Sequence, residues 1–296
     1  MKHSKPSQPL PPNAADCHLH VFGPFDRFPL AAQRAYNVVE APLAAHELMK
    51  RQVGLERTVL VQASGYGNDN RAMLAALQQL GRRGRAVAVF EPETPGSELK
   101  KLHEAGVRGA RLNLYTLGAR YAGDPASWIE RYARMLLPVG WHLQLLLEGK
   151  YIENLEQVLL HSRVDIVIDH MGLPDAREGI EQPGFQALLR LLGTGRVWTK
   201  VSGADRITRH SGRLRDAVPF IQCLAAAAPE RLLWGSDWPN IGFHSRQQVK
   251  DGAILPHREL DAGELLDVLI EAVPDAKTRR AILADNPARL YGFAGD

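Results

Sequence analysis

The stretch RTVLVQASGYGNDNRAMLAALQQLGRRGRAVAVF, residues 57–90, contains the repeating unit from which the fold can be predicted. It begins with the apolar run Arg57–Gln62, which lacks polar alternation and is therefore typical of a strand buried on both faces. A glycine-rich loop follows, then an amphipathic stretch at Asn70–Leu80 and a second apolar run at Arg85–Phe90. Buried strands that alternate with helices predict a parallel sheet.

The same unit recurs along almost the whole chain. The predicted strands are Ala15–His20, Arg57–Gln62, Arg85–Phe90, Val107–Leu114, Trp141–Leu147, Val164–Asp169, Arg196–Val201 and Arg231–Gly235. Eight strands give roughly 35 residues for each unit, which is typical of a (β/α)₈ TIM barrel. A doubly wound sheet is the alternative, but no G-x-G-x-x-G motif follows the first strand. We therefore predict an α/β protein with an N-terminal tail at residues 1–13 and a single barrel domain at 14–296.

Composition narrows the classes of partner. The 296 residues carry a net charge of only +3 without long Lys/Arg runs, so no nucleic-acid partner is expected. No apolar run approaches the ~18 residues of a membrane span, and the N-terminus has no signal-peptide core. Cys17 and Cys223 are too few for a disulfide framework, which favours a reducing compartment. We expect a cytoplasmic protein without a membrane partner.

Polar side chains gather where the predicted strands end. Active-site residues of such barrels project from the carboxyl ends of strands. Those ends carry His18 and His20, Ser64, Arg111 and Asn113, Asp169 and His170, Asp205 and Arg206, and Asp237. Arg111 is informative, because a charged residue near a barrel core must be paired or face a ligand. These residues predict one active site. His142 is expected to face the opposite end, His210 to be a surface residue, and Cys17 to pack outward against helices.

Several motifs resemble the amidohydrolase superfamily, and specifically its 2-pyrone-4,6-dicarboxylate lactonase branch. They are DCHLHVFGP at 16–24, GVRGARLN at 106–113, IDHMG at 168–172 and WGSDWP at 234–239, and the similarity runs from about residue 14 to Phe293. The resemblance implies an amidohydrolase-like barrel. It also implies a hydrolase that opens a lactone ring, in aromatic or sugar-acid catabolism, without requiring a metal. The expected substrate is a small anionic lactone.

The resemblance also assigns roles by position. His18, His20 and His170 would polarise the lactone carbonyl, and Asp237 would be the general base for the attacking water. Arg111 and Arg206 would bind substrate carboxylates, and Tyr36 and Ser64 would help to hold the substrate. If a metal is present, its ligands would be His18, His20, His170 and Asp237.

Three positions depart from the pyrone lactonase pattern. Leu117 and Leu173 stand where that branch carries arginines, and a leucine near Leu146 replaces a tyrosine. Arg120 could substitute for one of the missing cations. We therefore predict a related lactone with fewer carboxylates, or with one carboxylate and an apolar part. The segment from Trp238 to about Glu259 is expected to lie over the barrel mouth.

Other functions use the same residues. A zinc-dependent amidohydrolase or decarboxylase would need His18, His20, His170 and Asp237 as ligands, although strands four and five supply no further Lys, Glu or His. A lactone isomerase would use the same barrel while excluding water. A ligand-binding or scaffold protein would have no need of these four residues. The oligomeric state is not indicated by the sequence.

Overall fold

The computed structural model describes residues 3–34, 36–115, 124–243 and 252–293. Its centre is a sheet of eight parallel strands, each paired with the next one along the chain. The strands, β1 to β8, are Ala15–Leu19, Arg57–Val61, Gly84–Ala88, Val107–Asn113, His142–Leu146, Ile166–Ile168, Val197–Val201 and Leu232–Trp234. This order confirms the predicted (β/α)₈ barrel, because a doubly wound sheet reverses its strand order.

The barrel closes between β1 and the segment that follows β8. The amide of Asp237 donates to the carbonyl of His18, and the amide of His20 donates to the carbonyl of Trp238, each over 2.8 Å. Gly235 permits this approach, since a Cβ there would lie 2.6 Å from the Cβ of His18. Closure of the barrel therefore brings two predicted site histidines beside Asp237.

Helices cover the outside of the barrel. They are α1 to α11 in chain order: Leu43–Val53, Arg71–Leu80, Gly96–Glu104, Pro125–Leu136, Gly149–Leu160, Pro183–Gly193, Ala204–Ile207, Val218–Ala227, Ala262–Ala272, Ala276–Arg280 and Asn286–Tyr291. Asp124, Asp261 and Asp275 begin α4, α9 and α10, each accepting a backbone N–H with its side chain. None of the helices in the described ranges combines the length and the apolar character that a membrane crossing requires.

The N-terminal residues lie against the outer helices. The amide of Ser4 donates to Asp261, and the amide of Ser7 donates to Asp267, over 2.6 Å. Gly263 leaves room for this contact, because a Cβ at that position would lie 2.3 Å from the Ser4 carbonyl oxygen. The division of the chain into a tail and one barrel domain stays a prediction.

A β-bulge in β1 changes the direction of one side chain. Between Asp16 and Leu19 the strand has one residue more than the facing part of β2. Two consecutive residues, Cys17 and His18, therefore oppose Val59 and both point into the barrel. The expectation that Cys17 packs outward is wrong, because it assumed strict alternation; Cys17 lies in an interior cluster with Val59 and residues of β3, β6, β7 and β8.

The amino end of the barrel is filled by aromatic side chains. Tyr291 and Phe293 pack into the interior cluster there. His142, at the start of β5, is buried and its ring meets Tyr291 edge to face at 5.3 Å. Gly109 leaves space for this ring, since a Cβ would come within 2.5 Å of it. His142 thus lies at the end opposite the predicted site, as its position in the strand indicates.

Candidate active site

Four predicted side chains meet at the carboxyl end of the barrel. His18 Nε2 and His170 Nε2 lie 3.8 and 3.7 Å from the same atom, Asp237 Oδ1. The ring centroid of His18 is 5.1 Å from that of His20 and 4.5 Å from that of His170. All four residues are buried. They form one cluster, contributed by β1, by the residue that follows it and by the segments after β6 and β8.

Two members of this cluster have a left-handed backbone. The φ angles are 52° at His170 and 57° at Asp237, and Met171 and Leu173 share this conformation. The left-handed region costs a non-glycine residue about 1–2 kcal/mol. Such conformations persist where surrounding contacts hold them, and they often occur at active sites. The tight turns after β6 and β8 direct His170 and Asp237 back over the barrel mouth.

Both predicted carboxylate-binding arginines already contact carboxylates of the protein. Arg206 Nε donates to Asp237 Oδ2 over 2.6 Å. Arg111 Nη2 lies 3.5 Å from Asp169 Oδ2, and its Nη1 donates to the Gln62 carbonyl over 3.2 Å. The arginines therefore fix the site's own acids as well as facing the cavity.

A buried polar group lies behind His18, and the sequence did not indicate its role. Lys200 Nζ donates to Gln144 Oε1 over 2.7 Å and lies 3.3 Å from His18 Nδ1 and 3.6 Å from Asp169 Oδ1. Gln144 Nε2 donates to Asp169 Oδ2 over 3.1 Å. Lys200 and Gln144 are fully buried within apolar strands, and a buried charge must be paired. A lysine within an apolar strand is thus the sequence feature that could have indicated a buried ion pair.

Hydrogen-bond partners determine which ring nitrogens carry protons. His20 Nδ1 lies 2.8 Å from the Val61 carbonyl oxygen, which can only accept, so Nδ1 carries the proton. The Nε2 atom of His20 is then an acceptor. His18 Nδ1 lies 3.2 Å from Asp169 Oδ1, which can only accept, and 3.3 Å from the Lys200 ammonium, which can only donate, so its neighbours permit either tautomer. His170 Nδ1 contacts the Ser202 hydroxyl, which can donate and leave a proton on the Nε2 of His170.

Burial and charge separate the protonation states of the cluster. Burial lowers the pKa of His20 and of His170 to about 4, so both rings are neutral near pH 7. Burial alone would raise the pKa of Asp237, but the Arg206 guanidinium and the nearby imidazoles hold it well below its usual range. Burial lowers the pKa of Lys200 to about 8. The resting site therefore contains an ionised Asp237 beside neutral histidines.

A cavity of about 270 Å³ opens above this cluster. Its lining includes His20, His170 and Asp237, together with the predicted substrate-binding residues Arg111, Arg206, Tyr36 and Ser64. Asn113 also lines it and donates to the Ser64 hydroxyl over 2.8 Å. The structure thus brings all these residues to one cavity, with His18 just beneath.

One wall of the cavity is apolar. Leu146 and Leu173, two of the positions that depart from the pyrone lactonase pattern, both line it. So do Ile241 and Phe243 from the segment predicted to lie over the mouth. His210, expected at the surface, is exposed and also borders the opening. Residues 116–123, which include Leu117 and Arg120, and residues 244–251 lie outside the described part of the chain.

The donor atoms suit a divalent cation, whereas the local charge opposes one. Atoms of His18, His20 and Asp237 lie within 4.8 Å of one another, as do those of His18, Asp169 and His170. His18 Nε2 and Asp237 Oδ1 are buried without a hydrogen-bond partner among the described residues. Against this, two aspartates of the site, Asp169 and Asp237, contact three cations, which are Arg111, Arg206 and Lys200. A bound ion would add to an existing positive excess.

The buried histidines predict a loss of stability at mildly acidic pH. Burial lowers the pKa of His20 and His170 to about 4 and that of His142 to about 3 in the folded protein. In the unfolded chain these histidines bind protons below about pH 6.5, whereas in the native state they bind protons only at about pH 4 or below. The free energy of unfolding therefore decreases as the pH falls from 6.5 towards 4. Each histidine contributes up to ~1.4 kcal/mol per pH unit within that window. Urea unfolding at about pH 7 and pH 5 measures the effect; equal free energies at the two pH values would contradict it.

Comparison with known proteins places the chain in a family. A family model described as amidohydrolase matches residues 15–293. A 2-pyrone-4,6-dicarboxylate hydrolase from Comamonas testosteroni is 34% identical over 297 residues, covering 97% of this chain and 93% of the relative. A 4-sulfomuconolactone hydrolase from Rhizobium radiobacter is also 34% identical, over 96% of this chain and 91% of its own length.

A solved structure gives the same result. A crystal structure from Pseudomonas putida, described as a 2-pyrone-4,6-dicarboxylic acid hydrolase, superposes with a TM-score of 0.80 at 35% sequence identity. The match covers 97% of this chain and 100% of that one. The chain therefore belongs to the amidohydrolase family.

Proposed function

We propose that this protein hydrolyses a small lactone that carries a carboxylate. The observation that carries the proposal is Asp237 Oδ1, a buried carboxylate oxygen without a hydrogen-bond partner among the described residues, at the base of a cavity lined by arginines. The two curated relatives named above are hydrolases whose substrates are lactones, and they cover nearly the whole chain. The geometry of the site and the activities of these relatives therefore support the same type of reaction.

In the proposed reaction, Asp237 activates water. The position between Asp237 Oδ1 and the Nε2 atoms of His18 and His170 suits a water molecule that donates to the carboxylate. Asp237 takes one proton as the water oxygen attacks the lactone carbonyl. The ring C–O bond then breaks, and the proton passes to the departing ring oxygen, which gives a hydroxy acid. General-base assistance of this kind typically contributes 10²–10⁴-fold to the rate.

Polarisation of the carbonyl falls mainly to His170 in this proposal. The Ser202 hydroxyl can keep the His170 proton on Nε2, where the ring can donate to the developing oxyanion. His20 cannot donate from Nε2 while it is neutral, because its proton is on Nδ1. We assign His20 Nε2 to accepting a hydrogen bond from the second hydrogen of the water, while Asp237 Oδ1 accepts from the first. An arginine of the cavity lining would bind the carboxylate, for which a planar guanidinium is well suited.

A panel of lactones tests the function. It comprises the pyrone dicarboxylate, lactones with one carboxylate and lactones without charge, assayed in ¹⁸O-labelled water. Hydrolysis places the label in the product carboxylate, whereas isomerisation leaves the product unlabelled. We expect labelled product, formed fastest from a lactone with one carboxylate. Fastest turnover of the pyrone dicarboxylate would refute that preference, and folded protein inert towards every lactone would refute the function.

Chelation tests the need for a metal. A divalent ion held by His18, His20, His170 and Asp237 would polarise the carbonyl and lower the pKa of bound water. We propose that turnover does not require it, because Arg206 and Lys200 already compensate the acids of the site. Activity should therefore survive dialysis against a chelator, with metal content measured on the same sample. Loss of activity that Zn²⁺ restores would establish the zinc-dependent alternative.

A further inference from the structure

The charges around the cavity leave one cation without an acidic partner. Of its arginines, Arg111 contacts Asp169 and Arg206 contacts Asp237. Arg209 also lines the cavity, and among the described residues it forms no ion pair. The sequence did not indicate Arg209 as a site residue, because it lies two residues beyond the short helix α7 and away from the strand ends.

The acidic residues of the lining are compensated elsewhere. Asp175 accepts from Arg177, with Oδ2 to Nη2 at 2.7 Å, and Glu148 lies 3.1 Å from Lys150. Neither pair involves Arg209. Within the described lining, the positive charge of Arg209 is therefore the one that a ligand would have to neutralise.

An aromatic ring holds the Arg209 guanidinium at the cavity. Its Cζ lies 4.9 Å from the ring centroid of Phe243, and Arg258 contacts the same ring at 4.2 Å. Arg258 is itself paired with Asp205. The guanidinium is planar, and its N–H groups stay available for a carboxylate while the group rests on the ring. Phe243 thus orients Arg209 without neutralising it.

We propose that Arg209 determines specificity by binding the anionic group of the substrate at the outer end of the cavity. This inference rests on the proposed function and refines its substrate class. The cleaved ring lies over Asp237, its apolar edge faces Leu146 and Leu173, and a single carboxylate extends outward to Arg209. Arg111 and Arg206 then serve mainly to hold Asp169 and Asp237 in place.

Paired substrates test the role of Arg209. The probes are a five-membered unsaturated lactone with a carboxymethyl group and the methyl ester of the same compound. We expect Arg209→Met to raise KM for the acid by about 10-fold with little change in kcat, since the contact is remote from the reacting bond. KM for the ester should not change, and Arg209→Lys should be intermediate. The matched control is Arg213→Met, because Arg213 is exposed and pairs with Asp216 outside this cavity.

Binding provides a second measurement that does not depend on turnover. Calorimetric titration of glutarate, a dicarboxylate resembling an opened product, should show about 10-fold weaker affinity for Arg209→Met than for Arg213→Met. An unchanged KM for the acid, or equal changes for acid and ester, would overturn the proposal. If wild-type protein turns over no lactone of the panel, the proposed function fails, and glutarate binding alone decides whether Arg209 is the anion site.

Discussion

Replacing Asp237 with asparagine is expected to lower kcat by about 10³-fold or more, while KM changes only a few-fold. The carboxylate is the base of the proposed reaction, and general-base assistance alone accounts for 10²–10⁴-fold. Asparagine keeps the shape of the side chain but cannot take a proton from water. Its oxygen can still accept from Arg206 Nε, which donates to Asp237 Oδ2 over 2.6 Å in the native protein. Steady-state kinetics on the fastest lactone of the panel measure the change.

Asp165→Asn is the matched control for this experiment. Asp165 is exposed at the amino end of β6, whereas the turns that carry His170 and Asp237 follow the carboxyl ends of β6 and β8, so its replacement should leave kcat unchanged. The folded state of both variants is compared by circular dichroism. An Asp237→Asn enzyme that keeps more than about a tenth of the native kcat would exclude Asp237 as the base.

Replacing Lys200 with methionine is expected to destabilise the protein by about 3 kcal/mol. Removal of one partner from a buried ion pair typically costs 3–5 kcal/mol, because the other charge stays buried. The lower end applies, because Asp169 would keep its contacts with Arg111 and Gln144. Methionine has a similar length and shape, so loss of packing contributes little. Equilibrium unfolding in urea gives the free-energy change.

A double-mutant cycle shows whether the cost comes from the charge pair. Lys200→Met combined with Asp169→Asn should cost less than the sum of the two single changes, by about 0.5–3 kcal/mol. Lys101→Met is the surface control, since the Lys101–Glu98 pair is exposed and should contribute less than about 1 kcal/mol. Strictly additive changes would show that Lys200 and Asp169 do not interact energetically.

The barrel was predictable because its strands are buried on both faces. Such strands form continuous apolar runs, and the rule that active sites lie at their carboxyl ends selected His18, His170 and Asp237. Helix α1 shows where this reasoning is weaker. Its buried face includes His46 and Lys50, so the apolar stripe that identifies an amphipathic helix is interrupted.

Other features depend on contacts that a single chain segment does not contain. The bulge in β1 has no sequence signal of its own, so Cys17 was given the wrong direction. The pairing of Arg206 with Asp237 joins residues 31 positions apart, across the closing seam of the barrel. In the sequence, Lys200 is an isolated charge in an apolar strand. Only the fold shows that Asp169 and Gln144 lie beside it.

The left-handed turns after β6 and β8 limit how far the thermal stability of this protein can be raised. Glycine adopts that backbone freely, so a search for heat-resistant variants would favour glycine at residues 170, 171, 173 and 237. At Met171 the gain would be reduced by the loss of a buried side chain, and at Leu173 it would open the substrate wall. At His170 and Asp237 it would remove two side chains on which the proposed reaction depends. Thermal stability and turnover therefore place opposite demands on these few residues, so selection for either one alone would reduce the other.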